Sequence, residues 1–264
     1  KGIELTVVGL PKTVDNDVYP IFQTLGASTA AEQSAVFFEN IANENTTSHR
    51  QLIIHEVMGR NCGWLTAASA QIYRKQLQAK QFLPEFLISK KRWDVHAIYI
   101  PESNFDFNKE CERLKNIMDD NDCVNIFLSE GAGIDTIIKE KENIGEDVER
   151  DAFGHVRLDS INPGNWFANK FGERLKADKI LVQKSGYFAR SAPANDEDLD
   201  LIKKTAVIAV DQALQGKSGV VGLDNDNKGL LGLIDFYKIK GGKPFDANST
   251  WFKAMLAEIG QISN

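Results

Sequence analysis

The feature that most constrains this chain is an alternation of two hydrophobic periods. Short β-branched or apolar runs at 51–57, 97–100, 124–128, 179–183 and 218–223 read as strands, the second of them stopped by Pro101. Longer segments at 66–78, 108–118, 163–175 and 196–214 read as helices, from their apolar spacing or, at 163–175, from a proline at the start. A further helix begins at a capping Ser28 and puts Ala31, Ala35, Phe38 and Ala42 on one face. In 196–214, Leu199, Ile202, Ala206, Ala209 and Ala213 share a face, and Asp196, Glu197 and Asp198 form an acidic first turn that suits the helix dipole. Strands alternating with helices pair in parallel through crossovers, so the expected class is α/β with parallel sheets flanked by helices.

The run 3–8 ends at Gly9 and reads as a buried strand feeding a loop. A core strand so close to the first residue implies an upstream segment belonging to the same fold. Residues 139–150, mixed in charge and glycine-containing, are the most loop-like. They divide 1–138, the remainder of a first lobe with part of a second, from 139–264, the rest of the second lobe and the C-terminal helices. With 42% hydrophobic and 26% charged residues among 264, disordered and fibrous classes are excluded. Thirty-one Lys and Arg against 37 Asp and Glu give a net charge of −6, so no overall field favours nucleic acid or an anionic membrane. An anionic substrate must therefore meet a local basic cluster. No apolar run approaches the roughly 18–20 residues that span a bilayer, and the first residues carry no signal pattern, so a cytoplasmic protein is expected. Cys62, Cys111 and Cys123 match no zinc spacing and read as buried free thiols. His49 and His55, without metal spacing to His96 or His155, read as hydrogen-bonded structural histidines, and the pairs Phe37-Phe38 and Trp166-Phe167 as core.

Four strand exits carry polar chemistry, and in an open parallel sheet ligands bind at the carboxyl ends of strands. The first, residues 9–17, places Lys12, Thr13, Asp15 and Asp17 within six residues. In extended backbone Asp15 and Asp17 would point the same way and share a substrate hydroxyl and a magnesium shell, one as base and one as a water-mediated ligand. Lys12 supplies the positive charge a phosphate needs. A polar turn built from common turn residues is the competing reading. The second exit, 57–64, contains Met58, Gly59 and Arg60, with glycines that admit close approach and a guanidinium that forks onto phosphate. The third places Glu130 before Gly131-Ala132-Gly133, and the fourth runs from Lys184 through Gly186, Tyr187 and Arg190.

The segment 11–17, together with Met58-Gly59-Arg60, Glu130 and the run 186–190, strongly resembles the phosphofructokinase family in its pyrophosphate-dependent branch, in order and spacing and over nearly the whole chain. The resemblance implies two similar lobes with the sugar phosphate between them, assembled as a homodimer or homotetramer. It implies a glycolytic phosphoryl transfer from pyrophosphate to the 1-hydroxyl of fructose 6-phosphate, giving fructose 1,6-bisphosphate, with Mg2+. Asp15 matches the base, and Thr13 and Val14 lie in the same substrate-binding turn. Asp17 matches the second carboxylate, which orders magnesium and substrate. Met58, Gly59 and Arg60 match sugar-phosphate contacts, Glu130 a ligand of the sugar hydroxyls, and Tyr187 with Arg190 the holders of the 6-phosphate. Lys12 stands where ATP-using members commonly have glycine, and a cation there suits a leaving phosphate. The family's glycine-rich phosphate loop and Gly-Gly-Asp segment, which bind the donor and provide the principal magnesium carboxylate, are not in this chain. It would hold the acceptor half of the site and be inactive alone. The family arginine seven residues before the methionine is Gln51 here, with Arg50 its neighbour, and a one-residue shift reverses side-chain direction unless the strand bulges. Alternatives are an ATP-dependent phosphofructokinase and a non-catalytic regulatory subunit, the latter disfavoured by the presence of both Asp15 and Asp17.

Overall fold

The computed structural model describes residues 4–86, 88–150, 154 and 156–261. Its strands are β1 (Val8–Gly9), β2 (Gln51–Val57), β3 (Ala97–Tyr99), β4 (Cys123–Ser129), β5 (Lys179–Lys184), β6 (Gly219–Asp224) and β7 (Leu230–Ile234). Its helices are α1 (Ala27–Ala42), α2 (Trp64–Gln78), α3 (Lys90–Trp93), α4 (Phe107–Asn121), α5 (Ile134–Asn143), α6 (Leu158–Ile161), α7 (Pro163–Leu175), α8 (Gly186–Arg190), α9 (Asp196–Leu214) and α10 (Thr250–Glu258).

The larger sheet has the order β3-β4-β2-β5 and is parallel throughout. Every residue of β2 and β4 is buried, because helices cover both faces and leave no solvated side on which polar residues could alternate. On one face Ile53 and Val57 pack with Phe38 of α1, Leu65 and Tyr73 of α2 and Phe252 of α10. On the other, Leu52 and Ile54 meet Leu114 of α4 and Phe167 and Phe171 of α7. Each such fully buried side chain stabilises the fold by about 1.5–3 kcal/mol relative to exposure. The three cysteines are free and buried within this framework. Phe38 and Phe167 are fully buried, as expected of core.

The smaller sheet has the order β1-β6-β7 and joins distant parts of the chain. Here β1 pairs in parallel with β6, whereas β6 and β7 form an antiparallel hairpin, the one departure from parallel pairing among the described strands. Ile21, Val220 and Ile234 form its core, and α9 lies against it and against α1. Among the described residues no helix is long and apolar enough to cross a membrane.

Several expectations are corrected. The first strand is Val8–Gly9 rather than 3–8, and it is an edge: residues 4–7 are exposed because the partner strand begins only at Gly219, opposite Val8. Ile3 lies outside the described residues. Residues 139–143 belong to α5, so the irregular stretch begins only at Ile144. Ser28 does not cap α1; Gly26 stands at the cap, and buried Asp198 of α9 accepts from Gly26 N (2.9 Å), Thr29 N (2.8 Å) and Thr29 Oγ1 (2.5 Å). The acidic turn of α9 thus closes the N-terminus of another helix, while α9 itself is capped by Asn195, whose Oδ1 accepts from Asp198 N at 3.0 Å. The buried stripe of α9 is Asp198, Leu201 and Thr205, while Ala206 and Ala213 are exposed and Leu199 is 40% exposed. Apolar residues are spread around that helix, so spacing alone does not determine its phase. His49 is exposed and paired with Asp122 at 2.8 Å. His55 is wholly buried, but neither ring nitrogen has a partner among the described residues; it stacks on Phe38, and burial lowers its pKa to about 3. His155 lies outside the described residues.

Candidate active site

The loop that leaves β1 is folded by its own polar side chains. Leu25 N donates to Pro11 O at 2.9 Å, and Thr24 Oγ1 donates to Thr13 O at 2.7 Å. Asn16 is buried and left-handed (φ 55°); its Oδ1 accepts from Thr24 N (3.0 Å) and its Nδ2 donates to Phe22 O (3.2 Å). Asparagine tolerates that conformation better than most residues and fills the turn with bonds to the backbone. The left-handed residue means that Asp15 and Asp17 do not sit on an extended segment. Asp15 N donates to Thr13 Oγ1 at 3.2 Å, and Val14 packs against the main core, so the turn is pinned on both sides.

Asp15 is half-buried, and its Oδ1 is fully enclosed with no hydrogen-bond partner among the described residues. Burial, reinforced by the neighbouring charge of Asp17, pushes its carboxyl above the ordinary range, against the pull of Arg190 and Arg60. Val14 packs in the same cluster as Val57, Met58 and Ala189, so the β1 loop lies beside the carboxyl ends of β2 and β5. There Glu130 N donates to Val57 O at 2.9 Å, Gly59 N to Glu130 Oε1 at 3.3 Å and Ser129 Oγ to Gly59 O at 2.5 Å. Burial also raises the pKa of Glu130; the Gly59 hydrogen bond and Arg60 oppose the shift, and Asp15 and Glu56 add to it. Gly131 permits the arrangement, because a Cβ on it would fall 1.8 Å from Arg60 O. Across the gap Arg190 lies 5.7 Å from the Tyr187 ring centroid, and its Nη2 is 3.5 Å from Met58 Sδ.

A cavity of about 480 Å³ opens between these ends, walled by Met58, Arg60, Glu130, Gly186, Tyr187 and Arg190. Lys184, which opens the fourth strand exit, also reaches it, as do two polar residues that sequence reasoning did not single out, Glu56 and Arg157. Buried Glu56 accepts from Gly164 N at 2.9 Å and pairs with Lys184 Nζ at 2.9 Å. The available signal was a carboxylate inside a strand whose residues are all buried, where it must find partners. The cavity therefore collects four cations in an acidic chain, beside two carboxylates of raised pKa. That composition suits a polyol phosphate with a hydroxyl to be deprotonated.

Two candidates stand apart. Lys12 is exposed on the loop, bridged through its backbone to Leu25. Arg50 precedes β2, at the end of the sheet opposite the cavity, and is left-handed (φ 43°). Its Nε donates to Lys176 O at 2.8 Å, its Nη2 to Leu175 O at 2.5 Å and its Nη1 to Asp119 Oδ1 at 2.8 Å. Within one chain it serves the C-terminus of α7.

The family model for PFK, phosphofructokinase, matches residues 1–212. The chain belongs to the phosphofructokinase family. It is 55% identical over 257 residues to the pyrophosphate–fructose 6-phosphate 1-phosphotransferase of Methylomonas methanica, covering 97% of this chain and 63% of that one. It is 53% identical over 260 residues to the protein of the same name from Mastigamoeba balamuthi, covering 98% and 63%. The chain thus spans less than two thirds of the length of these curated relatives. In fold it is similar to the crystal structure of pyrophosphate-dependent phosphofructokinase from Nitrosospira multiformis, with a TM-score of 0.64 at 20% identity over 98% of this chain and 61% of that one.

Proposed function

We propose that the whole protein of which this chain is part transfers the terminal phosphoryl group of pyrophosphate to the 1-hydroxyl of fructose 6-phosphate. The observation that carries this reading is the half-buried Asp15 carboxyl on the β1 loop, acted on by Arg60 and Arg190, which line a cavity together with Glu130 and Tyr187. A half-buried carboxylate whose proton affinity is raised is suited to take the proton of a hydroxyl bound beside it. Arg190, Arg60 and Tyr187 hold the sugar phosphate, and Glu130 accepts from sugar hydroxyls. Asp15 takes the 1-hydroxyl proton as that oxygen bonds to the terminal phosphorus. The bond from phosphorus to the bridging oxygen breaks, and inorganic phosphate leaves with the electron pair. Lys12, on the exposed side of the same loop, offsets the charge that develops on the leaving group.

The relatives more than 50% identical carry pyrophosphate in their names, which supports that donor over ATP. Among the described residues no cluster of three or more His, Cys, Asp or Glu forms a metal cage. Mg2+ fits nonetheless, since it keeps several waters and is bound through one or two carboxylates and substrate phosphates, a role open to Asp17 beside Asp15. When bound it would neutralise phosphate charge. The reading also includes a homodimer or homotetramer, in which Arg50 would reach a sugar phosphate only in a neighbouring subunit.

The test is a coupled assay for fructose 1,6-bisphosphate on the whole protein with Mg2+ and either pyrophosphate or ATP. Turnover with pyrophosphate alone is expected; turnover with ATP alone would move the donor, and none with either would favour a regulatory subunit. Lys12→Gly should lower pyrophosphate-dependent kcat by about 10²-fold or more, the scale of losing one charge-stabilising group. An unchanged kcat would remove Lys12 from the reaction.

A further inference from the structure

A strap near the C-terminus is tied to both loops that make the site. Tyr19 and Lys240 exchange backbone bonds, with Tyr19 N donating to Lys240 O at 2.7 Å and Lys240 N to Tyr19 O at 2.9 Å. Further along the strap, Lys243 N donates to Asp17 O at 2.7 Å, and its half-buried ammonium reaches Ile21 O at 2.5 Å and Phe22 O at 3.5 Å. The next attachment runs to the other sheet. Glu102, just past β3, accepts from Phe245 N at 2.8 Å and from Gly63 N at 3.0 and 3.1 Å. Gly63 closes the turn that presents Arg60, and a Cβ there would fall 2.4 Å from Ile100, so that turn has little room to shift. Phe245 is buried against Trp251 and Phe252, which anchors the strap in the core.

We propose that segment 240–245 couples the carboxylate loop to the Met58-Gly59-Arg60 turn, with Lys243 and Glu102 as positioning residues for Asp15 and Arg60. The proposal rests on the functional reading above. Neither side chain lines the cavity, so each acts through backbone that it holds. Lys243 fixes both ends of the stretch 17–22 immediately after Asp15. Removing its ammonium releases the ties at Ile21 O and Phe22 O, keeps the backbone bonds to Asp17 and Tyr19, and leaves Arg60, Tyr187 and Arg190 in place on the larger sheet. The cost should therefore fall on alignment of the base rather than on sugar-phosphate binding.

The experiment compares Lys243→Met, Lys243→Arg, Glu102→Ala and the Lys243→Met/Glu102→Ala double variant in the whole protein, by amide exchange of residues 13–22 and by kinetics. For Lys243→Met, exchange in 13–22 should quicken by about tenfold and kcat should fall about 10- to 50-fold, with the fructose 6-phosphate KM within about threefold of wild type. Lys243→Arg, which keeps a donor to Ile21 O, should stay within about threefold in both parameters. Because both side chains act through one strap, the double variant should lose little more kcat than the worse single. Unchanged exchange in 13–22, an unchanged kcat in Lys243→Met, or losses that multiply in the double variant would each overturn the coupling. An inactive wild type would defeat the functional reading instead, and the exchange measurement would still decide whether the strap holds the loop.

Discussion

Asp15 shows how one residue is set against the stability of its surroundings. Its pKa lies above that of an ordinary aspartate because the folded chain desolvates it and places Asp17 nearby. A folded-state pKa above the unfolded one means that the folded state binds the proton more tightly. The associated stability is therefore present at low pH and lost as pH rises through the folded value. Above that folded value the protein holds an ionised group that it would be more stable without. Asp15→Asn should thus raise the thermal midpoint at pH 7 while lowering kcat by about 10²–10⁴-fold, the range of a general base. Calorimetry and the coupled assay on the same preparation check both halves. In the wild type kcat/KM should fall as pH drops through the raised Asp15 value, and a rate flat through that region would assign the base elsewhere. Gly131→Ala probes the site from its backbone. The new Cβ would meet Arg60 O at 1.8 Å, so the two loops must separate. That should raise the fructose 6-phosphate KM by about tenfold or more and cost about 1–3 kcal/mol of stability. A variant with wild-type KM would show that the approach of the loops does not matter.

At the scale of elements, α1 and α9 are locked by a single carboxylate. Asp198 takes two backbone donors and one hydroxyl from the start of α1 while wholly buried. Asp198→Ala leaves the two backbone donors without an acceptor, while the Thr29 hydroxyl keeps Asn195 Oδ1 at 3.3 Å, and should cost about 2–4 kcal/mol, read as a shift in the urea midpoint. Asp198→Asn, which keeps an acceptor, should cost roughly half as much. A neutral alanine variant would show that α1 needs no such cap. This contact also marks the limit of what local pattern conveys. Strand β2 and helices α7 and α9 fall within the segments that spacing predicts, because long apolar runs, a helix-starting proline and an acidic first turn are local signals. The cap of α1 comes from a residue 169 positions away from Thr29, and no local pattern encodes it. The same holds for β1, whose extent is set by where β6 begins, and for β7, whose antiparallel return comes from a tight hairpin rather than a helical crossover. Among the candidate residues, Asp15, Met58, Arg60, Glu130, Tyr187 and Arg190 can be picked out of the sequence because they sit at strand exits, whereas Lys12 sits at the same exit as Asp15 but stands apart from the cavity. Glu56, Asn16 and Lys243 cannot be picked out, because their roles depend on backbone brought to them by the fold.

At the scale of the whole molecule, the candidate site belongs to neither sheet alone. Asp15 and Lys12 hang from the three-stranded sheet, and Met58, Arg60, Glu130, Tyr187 and Arg190 from the four-stranded one. The charges of Arg60 and Arg190 act on Asp15 across the junction. A sugar phosphate bound at Arg190 with its hydroxyl at Asp15 would therefore contact both sheets at once, and each could keep its contact only while the other holds still. Such a ligand binds the assembled state and not its separated parts, so it stabilises the protein as a unit. At a hundredfold excess over its dissociation constant the gain is about 2.7 kcal/mol. Amide exchange of the whole protein with fructose 6-phosphate should accordingly show protection in 13–17 and in 58–60 and 186–190 together, with the same dependence on ligand concentration. Arg190→Ala should abolish protection in all three segments, including the loop on the other sheet. Asp15→Asn, whose amide still accepts a hydrogen bond from the hydroxyl, should preserve it in all three. Protection confined to 58–60 and 186–190 would mean that the sugar phosphate sits on the larger sheet alone, and Asp15 would then lie too far from the hydroxyl to serve as its base.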